Sequence, residues 1–180
     1  VLCLAIGNER VDVLGVSFIS VLEPGLISMQ VIQQSFSHSS SSFMIGKIQG
    51  NIVDLLYAPL SAVEVTIAVS LASVTRAVMI AIISIITFML IIEIQITNYL
   101  ALIAFTFLSS FILGNVGIIA GLWSEKFDNM ATVTNFVIIP LSFLSGTFYS
   151  IERLPGLLKT ISEFNPFFYM IDGFRYSFIG

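Results

Sequence analysis

The residues best suited to nucleophilic chemistry are a histidine and the serines around it. His38 lies inside a run that holds six serines between residues 35 and 42, and a histidine beside a serine is the pairing that activates a hydroxyl nucleophile. No carboxylate accompanies the pair to orient the imidazole, and the glycine pattern of a nucleophile elbow is missing. The run therefore favours a helix end, where hydroxyls satisfy free backbone groups and His38 is exposed.

Acid–base, metal and cofactor chemistry have equally little support in the pattern. Each candidate carboxylate belongs to a different segment, and nothing brings two of them together: Glu23, Asp54, Glu64, Glu93 and Asp172. Metal-ligand spacings, a glycine-rich phosphate loop and a dinucleotide fingerprint are all missing. The one cysteine, Cys3, lies in an apolar stretch and predicts a buried, inert thiol. We therefore predict a chain that is not an enzyme and holds no cofactor of its own.

The composition of the chain indicates whether it folds in water or in a membrane. It has 180 residues, of which 57% are hydrophobic and 10% charged, with a mean hydropathy of +1.01. Such apolar content exceeds what a water-soluble core needs, so the chain is predicted to be an all-α integral membrane protein. The net charge of −4 says little about partners, but the seven Lys and Arg residues are scattered and form no basic arm for nucleic acid. Because both termini fall in apolar tracts, we expect residues 1–180 to be one transmembrane domain of a longer protein.

Four stretches are apolar and long enough to be placed across a bilayer: 13–36, 77–92, 99–123 and 131–150. Glu23, followed by Pro24, should start the deep part of the first span or face a protein interior. Gln30, Gln33 and Gln34 indicate a face turned toward other helices or water. Residues 62–75 are expected to extend the second span into the interface, with Arg76 snorkelling to the same side as residues 46–61.

Two local patterns predict helix packing. Gly114, Gly117 and Gly121 place small residues along the span 99–123, which indicates a close helix contact, with a substrate-lining face as the alternative. Pro140 lies in the middle of the span 131–150, where it should bend the helix, with Thr134 and Ser142 compensating for the lost hydrogen bond. That kink could serve gating or be static.

Residues 46–61 form the one sustained polar interval in the first half of the chain. Ile45, Ile48, Ile52 and Leu55 recur at helical spacing while polar residues occupy the other faces, which predicts a short amphipathic helix at the bilayer surface that ends at Pro59. Alternating crossings place residues 46–61 and 123–130 on one side, opposite residues 7–12, 93–98 and 151–165. The Lys and Arg counts on the two sides are too similar for the positive-inside rule to orient the chain.

The last stretch, 151–180, is short, charged and aromatic, which is typical of a pair of re-entrant or interfacial helices with aromatics at headgroup depth. Asp172 and Arg175, three residues apart, can pair on one helical face. A gradient-driven transporter or channel remains an alternative for a polytopic chain, although paired intramembrane acids and inverted repeats are not evident.

Several motifs together resemble the permease subunits of bacterial ABC-2 type exporters, closest to the multidrug branch. The resemblance spans essentially the whole chain. Its most specific part is the proline–aromatic–tyrosine run at residues 166–169, with Arg175 six residues after Tyr169, and it also rests on residues 47–56, 59–61, 75–76, 123–128, 143–150 and 165–176. Glu23 departs from the family pattern, which has an apolar residue before the Pro-Gly pair, so no family role is carried over to it.

The resemblance implies a six-helix permease of the bacterial inner membrane, working as a homodimer with two copies of a cytoplasmic ABC ATPase that binds ATP and Mg. Drug, lipid or lipid-linked glycan would be its substrate. It also implies two sites. The cytoplasmic coupling helix that docks on the ATPase would contain Lys47, Gln49, Gly50, Asn51, Asp54, Leu55 and Tyr57. The external re-entrant region would contain Pro166, Phe167, Tyr169, Asp172 and Arg175.

Overall fold

The computed structural model describes residues 18–90, 96–145 and 165–179, and every regular element in these ranges is helical. Cys3, Glu93, the link at 7–12 and residues 151–164 lie outside the described residues. The helices, in chain order, are α1 Phe18–Gln49, α2 Ile52–Tyr57, α3 Ala62–Met89, α4 Tyr99–Trp123, α5 Phe127–Val133, a π-helical turn Thr134–Ile138, α6 Ile139–Leu144 and α7 Pro166–Ile179. The all-α prediction is confirmed.

Three helices in the described part of the chain are long and apolar enough to cross a membrane: α3, α4 and the continuous Phe127–Leu144 unit formed by α5, the π turn and α6. The span predicted at 99–123 coincides with α4. The span predicted at 131–150 begins earlier, at Phe127, because residues 127–130 already form the first turn of α5. The longest helix, α1, is less apolar than these three because it carries glutamines and the serine run.

The serine run does not end a helix, which corrects the prediction for residues 35–42. It lies in the second half of α1, and three of its side chains, Ser35, Ser39 and Ser40, are fully buried. The Ser35 hydroxyl donates to the Val31 carbonyl at 2.7 Å, and the Ser40 hydroxyl donates to the Phe36 carbonyl at 2.7 Å. The Ser35 and Ser40 hydroxyls are thus satisfied within their own helix, whereas the buried Ser39 hydroxyl has no hydrogen-bond partner among the described residues. Because the side chains are small, the run presents a closely packing face.

That face of α1 packs against the glycines of α4. A Cβ atom on Gly117 would lie 2.6 Å from the Phe36 carbonyl oxygen, and one on Gly121 would lie 2.7 Å from the Ser40 carbonyl oxygen. Gly114 meets the Ser73 side chain of α3 in the same way. The predicted close helix contact at these glycines is therefore confirmed, and α1, α3 and α4 pack against one another as a three-helix bundle.

The side-by-side arrangement of α3 and α4 corrects the position predicted for residues 62–75. The Ser70 hydroxyl donates to the Asn115 side-chain carbonyl at 3.2 Å, and Ser73 contacts Gly114. The first half of α3 thus lies beside the second half of the apolar helix α4. Residues 62–75 therefore belong to the spanning-length helix Ala62–Met89 and are not an interfacial extension of it. We call the end of the bundle that holds Lys47 and Trp123 the Lys47 end, and the opposite end, which holds Asn98, the Asn98 end.

A π-helical turn precedes Pro140 and accommodates its missing N–H. The Ile139 amide donates to the Thr134 carbonyl, five residues back, so the turn is wider than in an α-helix. The hydroxyls of Thr134 and Ser142 donate to the Met130 and Ile138 carbonyls, at 3.0 Å and 2.7 Å. Neither hydroxyl donates to the carbonyl that Pro140 leaves without a partner, which corrects the prediction from the sequence. The widened π turn is the local adaptation to the proline.

Helix α7 completes the core and runs antiparallel to α4. Near its start, Phe167 and Ile171 share a buried cluster with Leu113 in the middle of α4. Farther along, the Phe105 ring covers Gly173. At its end, the Ser177 carbonyl accepts from the Thr97 and Asn98 amides at 3.1 Å and 3.0 Å. The helix therefore covers only the half of α4 nearest the Asn98 end.

Candidate coupling segment

The predicted amphipathic helix over residues 46–61 is wrong as a single element, since Gly50 divides it. Residues 46–49 are the last turn of α1, and Gly50 then takes φ +76°, the left-handed conformation in which glycine has no Cβ penalty. The Gly50 amide donates to the Lys47 carbonyl at 3.3 Å, and the Val53 amide donates to the Gly50 carbonyl at 3.3 Å. The glycine ends α1 and turns the chain directly into α2.

The chain between the end of α2 and the start of α3 also has a defined conformation. Ala58 is extended before Pro59, as the proline requires of its predecessor. Ser61 and Glu64 then form a reciprocal capping box, in which the Ser61 hydroxyl accepts from the Glu64 amide at 3.2 Å and the Glu64 carboxylate accepts from the Ser61 amide at 2.7 Å. Residues 50–61, which we call the coupling segment, are therefore a short connection with a defined conformation.

The surface around the coupling segment mixes exposed apolar and polar side chains. Tyr57 is 85% exposed and Ile48 57% exposed. Gln49, Asn51 and Asp54 are exposed beside them, and the Asn51 side-chain amide donates to the Gln49 side-chain carbonyl at 3.2 Å. The side chain of Leu55 lies outside the description. This mixture of rigid apolar groups and adjacent polar groups is typical of a protein-docking surface.

Lys47, which the family resemblance groups with the docking residues, makes its contacts inside the chain. Its Nζ donates to the Gly121 carbonyl at 2.9 Å, to the Ser124 carbonyl at 3.0 Å and to the Leu122 carbonyl. These acceptors include end-of-helix carbonyls of α4 that have no intrahelical donor, and a cation at this end is favoured by the helix dipole. We call this arrangement the Lys47 clamp; it confirms that residues 46–61 and 123–130 lie on one side.

A cavity of about 220 Å³ opens between the end of α1, the start of α2 and α3. Its walls are mainly apolar, and it is lined by Ser42, Phe43, Gly46, Asn51, Ile52 and Val69. The sequence pattern does not predict this cavity, because its lining residues come from α1, α2 and α3 and meet only in the fold. Its size fits an apolar side chain of a docked partner rather than a drug-sized ligand.

Replacing Gly50 with alanine is expected to destabilise the turn by about 1 kcal/mol, since a Cβ is disfavoured in the left-handed region. Asn tolerates this conformation better, so Gly50→Asn is the matched control. Thermal unfolding of the detergent-solubilised protein measures the difference, and equal melting temperatures for the two variants would contradict the assigned role of Gly50.

The second predicted site is distributed over the buried and exposed faces of α7. Pro166 begins the helix, Phe167 is buried, Tyr169 is 60% exposed, Asp172 is exposed and Arg175 is half-buried. The charge of Asp172 acts on the Arg175 guanidinium, and the ion pair expected from their three-residue spacing stays a prediction.

Asn165, which the pattern analysis did not single out, anchors the start of α7. Its side-chain amide donates to the Leu141 carbonyl at 2.9 Å and to the Ser145 hydroxyl at 2.8 Å, while its side-chain carbonyl accepts from the Phe167 amide at 3.0 Å. An Asn placed directly before a helix-starting proline is the signal that could have identified it.

The remaining chemistry-bearing residues do not converge. Glu23 is 3% exposed in α1, in agreement with the predicted alternative that it faces a protein interior. Within residues 18–90, 96–145 and 165–179, no group of three His, Cys, Asp or Glu side chains could hold a metal ion.

A family model described as ABC-2 type transporter matches residues 5–179, and the chain belongs to this family. The inner membrane transport permease YadH of Escherichia coli K12 is 32% identical over 175 residues, which cover 97% of this chain and 68% of that protein. The YadH permease of Shigella flexneri matches equally well. No solved structure matches the chain.

Proposed function

We propose that this chain is the membrane-spanning subunit of an ATP-driven exporter in the bacterial inner membrane. Two permease copies would pair in the lipid bilayer, and a separate cytoplasmic ABC ATPase would bind ATP and Mg, so that this chain moves substrate without catalysing a reaction. The observation that carries the proposal is the exposed coupling segment of defined conformation at the Lys47 end, in a chain of the ABC-2 family. The predominantly apolar, aromatic-rich composition suits an amphiphilic substrate such as a drug, a lipid or a lipid-linked glycan.

In this proposal the Lys47 end is cytoplasmic and the coupling segment docks on the ATPase. Closure of the ATPase pair would push the segment, and the rigid turn at Gly50 would pass the movement to α1. Through the Lys47 clamp the same movement would reach the end of α4. Two spans would therefore move together in response to one contact.

The Asn98 end is then external, and α7 is the external re-entrant helix. Its 14 residues extend for about 21 Å, which is less than a 30 Å hydrocarbon core. Its contacts extend from the middle of α4 to the start of α4. They support a helix that enters the bilayer from outside and stops part-way across it.

Copurification with the ATPase tests the docking surface. Because Lys47 also holds the bundle together, the informative variants are Asp54→Lys and Tyr57→Ala, whose side chains are exposed. Loss of an exposed aromatic anchor or reversal of a charge at a docked surface should reduce association with the ATPase about tenfold or more. The reduction would be measured as the ratio of ATPase to permease recovered on an affinity tag.

Asp128→Lys is the matched control, because Asp128 is an exposed carboxylate at the same end in the first turn of α5. It should leave ATPase recovery unchanged. Recovery that is equal in all three variants and the native protein would overturn the docking assignment. Substrate export that continues without ATP but depends on an ion gradient would favour the gradient-driven alternative.

A further inference from the structure

Arg76 lies deep in a helix that is assigned to the membrane. It is the fifteenth of the 28 residues of α3, which extends for about 42 Å. A 30 Å hydrocarbon core placed anywhere within that length leaves the Arg76 Cα about 9 Å or more from either surface. The side chain is nevertheless exposed in the single chain. An exposed guanidinium at that depth is costly against lipid, so it should face a protein or an aqueous path.

The partners of Arg76 within the chain are few. Its Nη2 donates to the Gln34 side-chain carbonyl of α1 at 3.5 Å, a long and therefore weak hydrogen bond. No carboxylate among the described residues forms an ion pair with it. A guanidinium has five N–H donors, so most of its donating capacity remains available.

Further polar groups surround the guanidinium on α1. Its charge acts on His38, one turn beyond Gln34, and the Nδ1 atom of His38 is buried without a hydrogen-bond partner in the described part of the chain. Gln30 and Ser37 are exposed one turn before Gln34 and one turn after it. The polar groups at the junction of α1 and α3 thus offer several hydrogen-bond donors and one fixed positive charge.

We propose that Arg76, Gln34 and His38 bind the anionic head group, phosphate or carboxylate, of the transported amphiphile. The proposal rests on the exporter function and names the substrate chemistry that this face of the permease would select. Arg recognises such groups through paired N–H donors, and the contact is strengthened where water is scarce. The apolar tail of the ligand would lie toward the Asn98 end, along the exposed side chains of Met79 and Ile83, which follow Arg76 on the same face of α3 by one and two turns.

The other carboxylates of the described residues do not supply an alternative counter-ion. Asp54, Glu64, Glu125 and Asp128 lie at the Lys47 end. Asp172 lies on α7, where its charge acts on Arg175. Glu23 is 11 positions before Gln34 on α1, which places it about 16 Å away along the helix. An anion therefore has to come from outside this part of the chain, and an anionic substrate on the transport path meets that requirement.

Photolabelling of the permease–ATPase complex in phosphatidylcholine nanodiscs tests the proposal. The probes are dodecyl phosphate and dodecyl maltoside, each carrying a diazirine, and peptide mass spectrometry reads the labelled positions. The native complex should be labelled by dodecyl phosphate near residues 34–38 and 76. Arg76→Gln should lower this labelling about tenfold, and Arg76→Lys should retain part of it, because a charged hydrogen bond is lost in the first variant and weakened in the second.

Lys126→Gln is the matched control, since it removes one exposed positive charge at the Lys47 end and keeps the same net charge as Arg76→Gln. It should leave labelling unchanged. Labelling of Arg76→Gln at the native level would overturn the proposal, as would an equal loss with the neutral maltoside probe, which would indicate a structural role for Arg76. Labelling abolished by added phosphatidylglycerol with no change in ATP hydrolysis would assign the site to a bilayer lipid and also overturn it.

These outcomes remain separable from failure of the exporter function itself. If the native permease does not copurify with an ATPase, the exporter function fails whatever the labelling shows. If the native complex forms and hydrolyses ATP but Arg76→Gln is labelled normally, only the head-group site fails.

Discussion

Replacing Gly117 with alanine should destabilise the bundle by about 2 kcal/mol, because the new Cβ would lie 2.6 Å from the Phe36 carbonyl oxygen. That oxygen belongs to the backbone of α1, so relief requires α1 and α4 to move apart. Gly121→Ala meets the Ser40 backbone in the same way. The double variant should fail to accumulate as a folded monodisperse protein, since both changes act on one helix contact.

The measurement is thermal stability of the detergent-solubilised permease, in which a loss of 2 kcal/mol should lower the melting temperature by roughly 5 °C. Gly46→Ala is the control within the same bundle, since an added Cβ there meets no atom within 4 Å. It should be neutral or slightly stabilising, as alanine is the better helix former. A melting temperature for Gly117→Ala equal to that of Gly46→Ala would show that the two helices do not approach as closely as described.

Replacing Lys47 with methionine should remove the Lys47 clamp and destabilise the protein by roughly 3 kcal/mol, because the terminal carbonyls of α4 lose a charged donor. Methionine keeps much of the length of the side chain, so the change isolates the ammonium group. Beyond the loss of stability, ATP hydrolysis should become independent of substrate, since α4 would no longer follow the coupling segment.

Lys126→Met is the control for the Lys47 variant, because Lys126 is exposed at the same end of the bundle. It should leave both the melting temperature and the response of ATP hydrolysis to substrate unchanged. If Lys47→Met lowered ATPase copurification but left the melting temperature intact, Lys47 would be a docking residue, as the family resemblance implies, and the clamp would carry no stability.

Helix α1 shows best which features of the fold a sequence pattern does not predict. The end of α4 at Trp123 and the close packing of Gly117 follow from local rules, since an apolar helix and small residues at helical spacing each have one favoured interpretation. The serine run has two, because a hydroxyl can cap a helix end or donate to its own helix four residues back. The choice depends on α4, whose glycines are about 80 residues away in the chain.

The candidate site likewise has features that local sequence predicts and features that depend on residues distant in the chain. Pro59 and the polar interval predict where the coupling segment lies, but the helical periodicity places Gly50 on a helical face. A glycine within an otherwise periodic stretch does not by itself indicate a left-handed turn. The partners of Lys47 are 74 to 77 residues away along the chain, so its role could not be read from neighbouring positions. The depth of Arg76 likewise depends on which part of α4 lies beside α3.

The widened turn before Pro140 has a consequence for which face of this span is buried. A π turn holds one residue more than an α turn, and one residue corresponds to a rotation of about 100°. The buried positions are Met130, Ile138 and Ser142, a spacing of eight and then four, whereas Val137 is 45% exposed. The extra residue resets the phase of the helix, so that one continuous span presents the same side to the core before and after the proline.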